Sequence, residues 1–440
     1  MADKSDNSQK SPVTPIYILR GHVAPIHALN ILSGNLRLIS GDADGWVVIW
    51  DLVTKRPVAV WKAHEGAVLE VKGLYNDTGS IELYTHGRDH KLCVWKLRTE
   101  DESFLDKTLP VDISGSVNLD QGTKPWLLHS LPVNALNFCA FSMTIVSVAE
   151  NPDQTDICQP SVEKRRNVLF AVPNAIDSGG IDIFHLPSER RLTTIQSDPS
   201  TKTGMLMAVN LFLQHGNLYV ASAFEDGHVV LFMQKGPFTL TSFESGNITS
   251  QSWKWVKVYS SSPHSQPVLS IDTVPTLDYF ISSSADSLIT KHPVPVLNSA
   301  GYTQPANYAE NTPVKTINTK HSGQQGLRIR SDGKIFATAG WDSRVRVYSS
   351  KTMKELAVLK WHKEGCYAVA FGQVLPGTRS EPSSTQSEKS ESWRSTPGTD
   401  RHSAEKSLAA VHLQRNKKIQ QTHWLAAGSK DGKVSLWDIY

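Results

Sequence analysis

Short apolar runs, each a few residues long and each broken by a turn, recur from one end of the chain to the other. The run Leu38-Ile39-Ser40 passes into Gly41-Asp42-Ala43-Asp44-Gly45, and alternation resumes over Trp46-Val47-Val48-Ile49-Trp50-Asp51. An Asp-Gly turn between two such stretches predicts an antiparallel hairpin. A lone hairpin is marginal in water because one face stays wet, so copies must stack. From the turn aspartate to the bulky residue closing the second strand the count is six in Asp44 to Trp50, Asp89 to Trp95, Asp226 to Phe232, Asp286 to His292, Asp342 to Tyr348 and Asp431 to Trp437. Four positions ahead of each aspartate stands a small residue: Ser40, Thr85, Ser222, Ser282, Thr338 and Ala427. A weaker seventh copy runs Gly179-Gly180-Ile181-Asp182-Ile183-Phe184, with Ser178 in the place of the aspartate.

A histidine heads the strand before several copies, in Gly21-His22, Ala63-His64, Lys320-His321 and Trp361-His362. The combination resembles the WD-repeat signature. That resemblance implies an all-β chain folded as a seven-bladed WD40 β-propeller. In such repeats the Asp accepts a hydrogen bond from the His, the His contacts the Ser or Thr, and the bonds end on the Trp indole. The resemblance therefore assigns a structural clamp to His22, Ser40, Asp44 and Trp50, and to His64, Thr85, Asp89 and Trp95. It adds Asp226, Asp286, the set His321, Thr338 and Asp342, and the set His362, Asp431 and Trp437. Buried polar groups must be paired, so a clamp of this kind fixes one geometry per blade. These residues are read as structural and not as catalytic. Ala427 and Phe232 leave their clamps partial, and their blades are expected to lean on apolar packing.

Residues 1–13 are polar and expected to form a disordered tail, and 14–440 to form one propeller domain. The run Val434 to Tyr440 reads as the third strand of the last blade, which leaves the outer position open. Thr14 to Arg20 is strand-like and is expected to fill it, closing the ring. Blade 2 is expected to end on an outer strand near Phe104 to Pro110, with blade 3 opening at Pro132. Intervals of 89 residues separate Asp89 from Ser178 and Asp342 from Asp431, yet neither holds a further turn-and-Trp copy. Within the second interval, residues 377–407 are rich in Ser, Thr, Glu and Pro and are expected to be a disordered insert inside the last blade.

Charge and composition narrow the function. A net charge of +3 is too small to argue for a nucleic-acid surface, so no direct nucleic-acid partner is expected. Cys93, Cys139, Cys158 and Cys366 share no C-x-x-C spacing, which favours reduced thiols in the cytosol or nucleus over a disulfide frame or metal site. No apolar run approaches the roughly 18 residues of a membrane helix, and the polar start lacks a leader-like apolar region. Phosphate loops, H-E-x-x-H, G-x-S-x-G and EF-hand patterns are missing from the sequence. No catalytic residue, cofactor, metal or small-molecule substrate is expected. Partner docking remains, with Trp46 and Trp341 beside turn residues and Trp393 in the insert as candidate anchors. The Ser/Thr-rich insert is also a candidate for phosphorylation.

The opening Pro15-Ile16-Tyr17-Ile18-Leu19-Arg20-Gly21-His22, the Gly-Asp-Ala-Asp-Gly-Trp turn at 41–46 and the ending Ala426 to Trp437 resemble the fungal ASTRA-associated protein 1 family. That family is similar to the vertebrate G-protein β-subunit-like protein 1. The resemblance implies a non-enzymatic scaffold subunit of the ASTRA complex, involved in chromatin regulation and in co-chaperone-assisted maturation of phosphatidylinositol-3-kinase-related kinases. It implies as partners the protein subunits of that complex and of the kinase-maturation co-chaperone, in the nucleus, with the cytoplasm as a second compartment. Two other readings stand beside it. A ubiquitin-ligase substrate receptor often carries Trp-Asp-x-Arg, whereas Trp50-Asp51 is followed here by Leu52-Val53. A G-protein β-like adaptor needs an N-terminal heptad helix, for which residues 1–13 are too short.

Overall fold

The computed structural model describes residues 14–32, 34–75, 79–112, 122–134, 138–146, 166–235, 253–295, 297–298, 301–302, 311–375 and 400–439. Among them the predicted hairpins join into seven four-stranded antiparallel sheets arranged as a seven-bladed propeller. In blade 1 the strands Ile26–Leu32, Arg37–Asp42, Trp46–Asp51 and Arg56–Lys62 lie side by side in chain order. A blade is sandwiched between two neighbours, so its middle strands are covered on both faces. Val47, Val48, Ile49 and Trp50 are accordingly all buried. Blades 2 to 6 repeat the order, with inner strands Val68–Tyr75, Ser142–Val146, Leu206–Gln214, Val268–Thr273 and Gln324–Ile329.

Apolar layers join the blades. Ile39, Val47, Ile49 and Ala59 of blade 1 pack on Val68, Val71, Leu83 and Trp95 of blade 2, and Trp61 meets Trp95 edge-on at 5.7 Å. The Asp-Gly turns add a second seam. Gly45, at φ +90°, backs onto the His64 carbonyl of the next blade, where a Cβ would sit 1.9 Å from the oxygen. Gly432 does the same against His22, at 2.4 Å. Only glycine serves both the turn and the close approach.

Blade 7 is built from Cys366–Phe371, Trp424–Ser429, Lys433–Asp438 and, from the far end of the chain, Tyr17–Arg20. Tyr17 lies opposite Leu436 and Arg20 opposite Lys433, with Leu19 buried. The expected closure is therefore present.

Two expectations need correction. The outer strand of blade 2 is Trp126–Pro132, paired with Lys91–Arg98. Residues 104–110 form a turn and loop instead, since Asp106, Lys107 and Pro110 break the alternation and Pro cannot donate to a ladder. Blade 3 then begins at Ser142. In the last blade, the tail 1–13 and insert positions 377–399 lie outside the described residues, but 400–407 belong to a helix, Asp400–Gln421. From Asp400 to Gln421 the run holds Ala, Leu, Gln, Lys and Arg with neither Gly nor Pro.

Candidate functional site

The clamp forms in full where the sequence matches it best. In blade 2, His64 Nδ1 lies 2.9 Å from Asp89 Oδ1 and Nε2 lies 2.8 Å from Thr85 Oγ1, while Trp95 Nε1 donates to the same hydroxyl at 2.9 Å. Burial alone would raise the Asp89 carboxyl. The bond to His64 and the Glu65 N–H outweigh it and hold the group below the usual carboxylate range. Blade 1 closes through His22, Ser40 and Trp50, at 2.7 Å and 2.8 Å, but its carboxylate is Asp42 and not Asp44. Asp42 lies two residues from Ser40 on the same strand face, reaches His22 Nδ1 at 2.6 Å, and also accepts the Asp44 and Trp46 N–H groups. Asp44 is left exposed in the turn.

Three further clamps are rerouted. In blade 7 the missing hydroxyl at Ala427 is supplied from directly across the ladder by Ser435, which receives Trp437 Nε1 at 2.8 Å and contacts His362 Nε2 at 2.8 Å. Asp431 stands 3.9 Å from His362 and bonds Lys433. In blade 5 an unforeseen histidine, His264, joins Ser282 at 2.8 Å and Asp286 at 3.2 Å, and His292 takes the Trp position at 2.8 Å from Ser282. The signal was available: His264 precedes Ser282 by 18 positions, as His22 precedes Ser40. In blade 6 His321 stays exposed, 3.7 Å from Asp342. It sits three positions ahead of its inner strand, where His22, His64 and His362 sit four ahead, so the ring misses the hydroxyl. Thr338 instead donates to Gln324 Oε1 at 2.6 Å, and Asp342 pairs with Arg346 at 2.6 Å. Asp226 of blade 4 joins no clamp; it bonds His228 at 2.6 Å at the surface.

With the clamps accounted for, the surface that remains is the mouth of the central channel. Six inner strands carry a register break at their start, between Ile26 and Ala28, Val68 and Glu70, Leu206 and Ala208, Val268 and Ser270, Gln324 and Gly326, and Cys366 and Ala368. Such a bulge leaves one residue outside the ladder and re-aims its side chain. The residues so released, His27, Leu69, Met207, Leu269, Gln325 and Tyr367, all line a central cavity of about 490 Å³. His27 stacks on Tyr367 with centroids 5.4 Å apart, and burial, its largest influence, lowers its pKa. Arg88 lies 4.4 Å over the Phe138 ring, and Trp341 is held by a bond from Nε1 to Gln325 at 2.7 Å while 48% exposed. Deeper in, Arg328 of blade 6 bonds Glu70 of blade 2, and the Ile329 N–H donates to Asp272 of blade 5 at 2.7 Å. Buried charges need such partners.

Of the three candidate anchors, Trp341 stands at this mouth, Trp46 is partly buried against the core between blades 7 and 1, and Trp393 lies outside the described residues. Cys93, Cys139 and Cys366 are buried free thiols. Among the described residues no group of three or more His, Cys, Asp or Glu is placed to hold a metal ion, and no helix is long and apolar enough to cross a membrane.

A sequence model of the family ASTRA-associated protein 1 matches residues 15–437. The chain is 63% identical to the ASTRA-associated protein 1 of Penicillium rubens over 98% of both chains, and 54% identical to that of Aspergillus niger over all of both. The Schizosaccharomyces pombe protein of that name is 32% identical over 81% of this chain and 93% of its own. The chain therefore belongs to the ASTRA-associated protein 1 family.

Proposed function

We propose that this protein is a non-catalytic scaffold subunit of an ASTRA assembly and that it grips a partner segment at the channel mouth. The observation that carries the reading is the set of released side chains ringing the cavity. A stacked His27–Tyr367 pair among apolar side chains, with the exposed Arg88 guanidinium and Trp341 indole beside it, has the composition of an interface hot spot, whereas the clamp histidines and aspartates are consumed within the blades. The relatives' name supplies the assembly. Chromatin regulation and co-chaperone-assisted maturation of phosphatidylinositol-3-kinase-related kinases, carried out in the nucleus, are the roles we infer for it, with the co-chaperone subunits as further protein partners.

Affinity purification of the tagged chain from a native fungal cell, with mass spectrometry, tests the reading. ASTRA subunits are expected in the eluate, and cullin adaptors in their place would overturn it. The double variant R88A/W341A is expected to lose those subunits at least tenfold while melting within a degree or two of the parent, since neither side chain fills the core.

A further inference from the structure

The helix Asp400–Gln421 leaves blade 7 at the end of its inner strand, whereas the bulges that build the channel mouth lie at the inner strands' beginnings. It is therefore rooted on the opposite face. The root is specific. Asn35, fully buried in the first hairpin of blade 1, donates to the carbonyls of Gln373 and Gln420 at 2.8 Å each and accepts the Gln373 N–H at 2.7 Å. Trp424 Nε1 donates to the Ile419 carbonyl at 2.8 Å, and Ile419 packs against the core between blades 7 and 1. Among the helix residues whose side chains are described, 409–421, only Asn416, Ile419 and Gln420 are partly covered and the others are exposed.

A helix of 22 residues is about 33 Å long, so one held by its last turn stands out from the disc. Its outward stripe is Val411, Arg415 and Lys418, at the i, i+4, i+7 spacing of one helix face, while Leu413 and Lys417 lie off that stripe. Val411 is 40% and Leu413 is 73% exposed. Residues 409–421 hold Arg415, Lys417 and Lys418 and no carboxylate, which equals the +3 of the entire chain, so all other positions cancel. Several cations on the propeller itself are matched, as in Arg330 with Asp332, Arg346 with Asp342 and Lys433 with Asp431. None of these three cations forms a salt bridge with a described residue.

We propose that this helix is a second docking element, which takes an acidic, partly apolar protein segment along the stripe Val411, Arg415, Lys418. Charge complementarity selects the occupant. Three cations are too few for DNA, where tight binding rests on roughly six to ten phosphate contacts. A single apolar side chain on the stripe, Val411, is too little for a membrane-surface helix, which needs a continuous apolar face. A protein segment carrying carboxylates with one or two apolar residues matches both counts.

The test uses the full-length protein and three probes: a fluorescent glutamate-rich peptide with interspersed leucines, a duplex DNA of similar length, and phosphatidylcholine vesicles containing phosphatidylserine. The peptide is expected to bind best, and R415E/K417E/K418E is expected to weaken it about tenfold or more, with the loss largest at low salt. Melting is expected to shift by only a few degrees, because all three side chains are exposed. Tighter binding of the DNA or the vesicles overturns the proposal, as does a triple variant that still binds the peptide like the parent. R88A/W341A should leave peptide binding intact, which separates this surface from the channel mouth.

Discussion

Blade 2 and blade 4 are solved by different means. Blade 2 ties three of its strands together through His64, Thr85, Asp89 and Trp95, every polar atom of the bridge finding a partner. Blade 4 keeps the six-residue count and a small residue, yet Ser222 bonds only the Val230 carbonyl at 3.0 Å, and Asp226 turns outward to His228. In place of a polar bridge it has rings: Phe212 stacks on Tyr219 at 5.4 Å, and Leu231, Met233, Tyr259 and Phe280 complete the layer against blade 5. The two blades share a backbone plan, so the polar bridge is not what makes a blade. It is one way to single out a geometry that apolar packing between neighbours already stabilises.

Three measurements put weight on that contrast. The largest effect is expected from T85V, which keeps the shape and leaves the His64 and Trp95 nitrogens buried without their shared partner. It should cost about 2–4 kcal/mol in denaturant unfolding; a loss under about 1 kcal/mol would mean the bridge is ornamental. The next concerns acid. Burial, the main influence, lowers the His86 pKa from 6.5 to about 3. Above pH 6.5 both folded and unfolded chains hold this ring neutral, and its contribution is complete. As pH falls from 6.5 toward 3 only the unfolded chain takes up the proton, so stability declines by up to about 1.4 kcal/mol per pH unit. His86→Leu should flatten the stability-versus-pH slope by nearly one proton over that window. A slope equal to the parent's would contradict the assignment. The smallest effect is expected from S222A, at about 1 kcal/mol or less by the same unfolding assay, because one neutral hydrogen bond is lost and no charged or ring nitrogen is stranded.

The fold was legible because its signal is local. A turn and the strand after it occupy ten or so consecutive residues, so the repeat, the number of blades and the spare strand at Thr14 to Arg20 could be counted. The clamps were legible only in part. Whether Ser435 stands in for Ala427 depends on which residues face each other across a ladder, and whether His321 reaches Thr338 depends on one residue of spacing before the strand. The channel mouth was the least visible, since a bulge adds a residue without disturbing the apolar count; Trp341 was found, but His27, Arg88, Phe138 and Tyr367 were not. The helix at Asp400–Gln421 was half hidden for another reason: its first turns are as polar as the Ser-rich stretch before them, and only the Ala- and Leu-bearing remainder marks it.

Pairing Tyr17–Arg20 with Lys433–Asp438 has an outcome for biosynthesis. The strand Tyr17–Arg20 must wait, unpaired, until its partner, more than 400 residues further along, has emerged. Its amide edge stays open through the making of six blades, and joining it to its mate is the longest closure among the described strand pairs. The hazard of mispairing with another molecule is thus greatest late in translation, and it ends in one step when the final hairpin arrives.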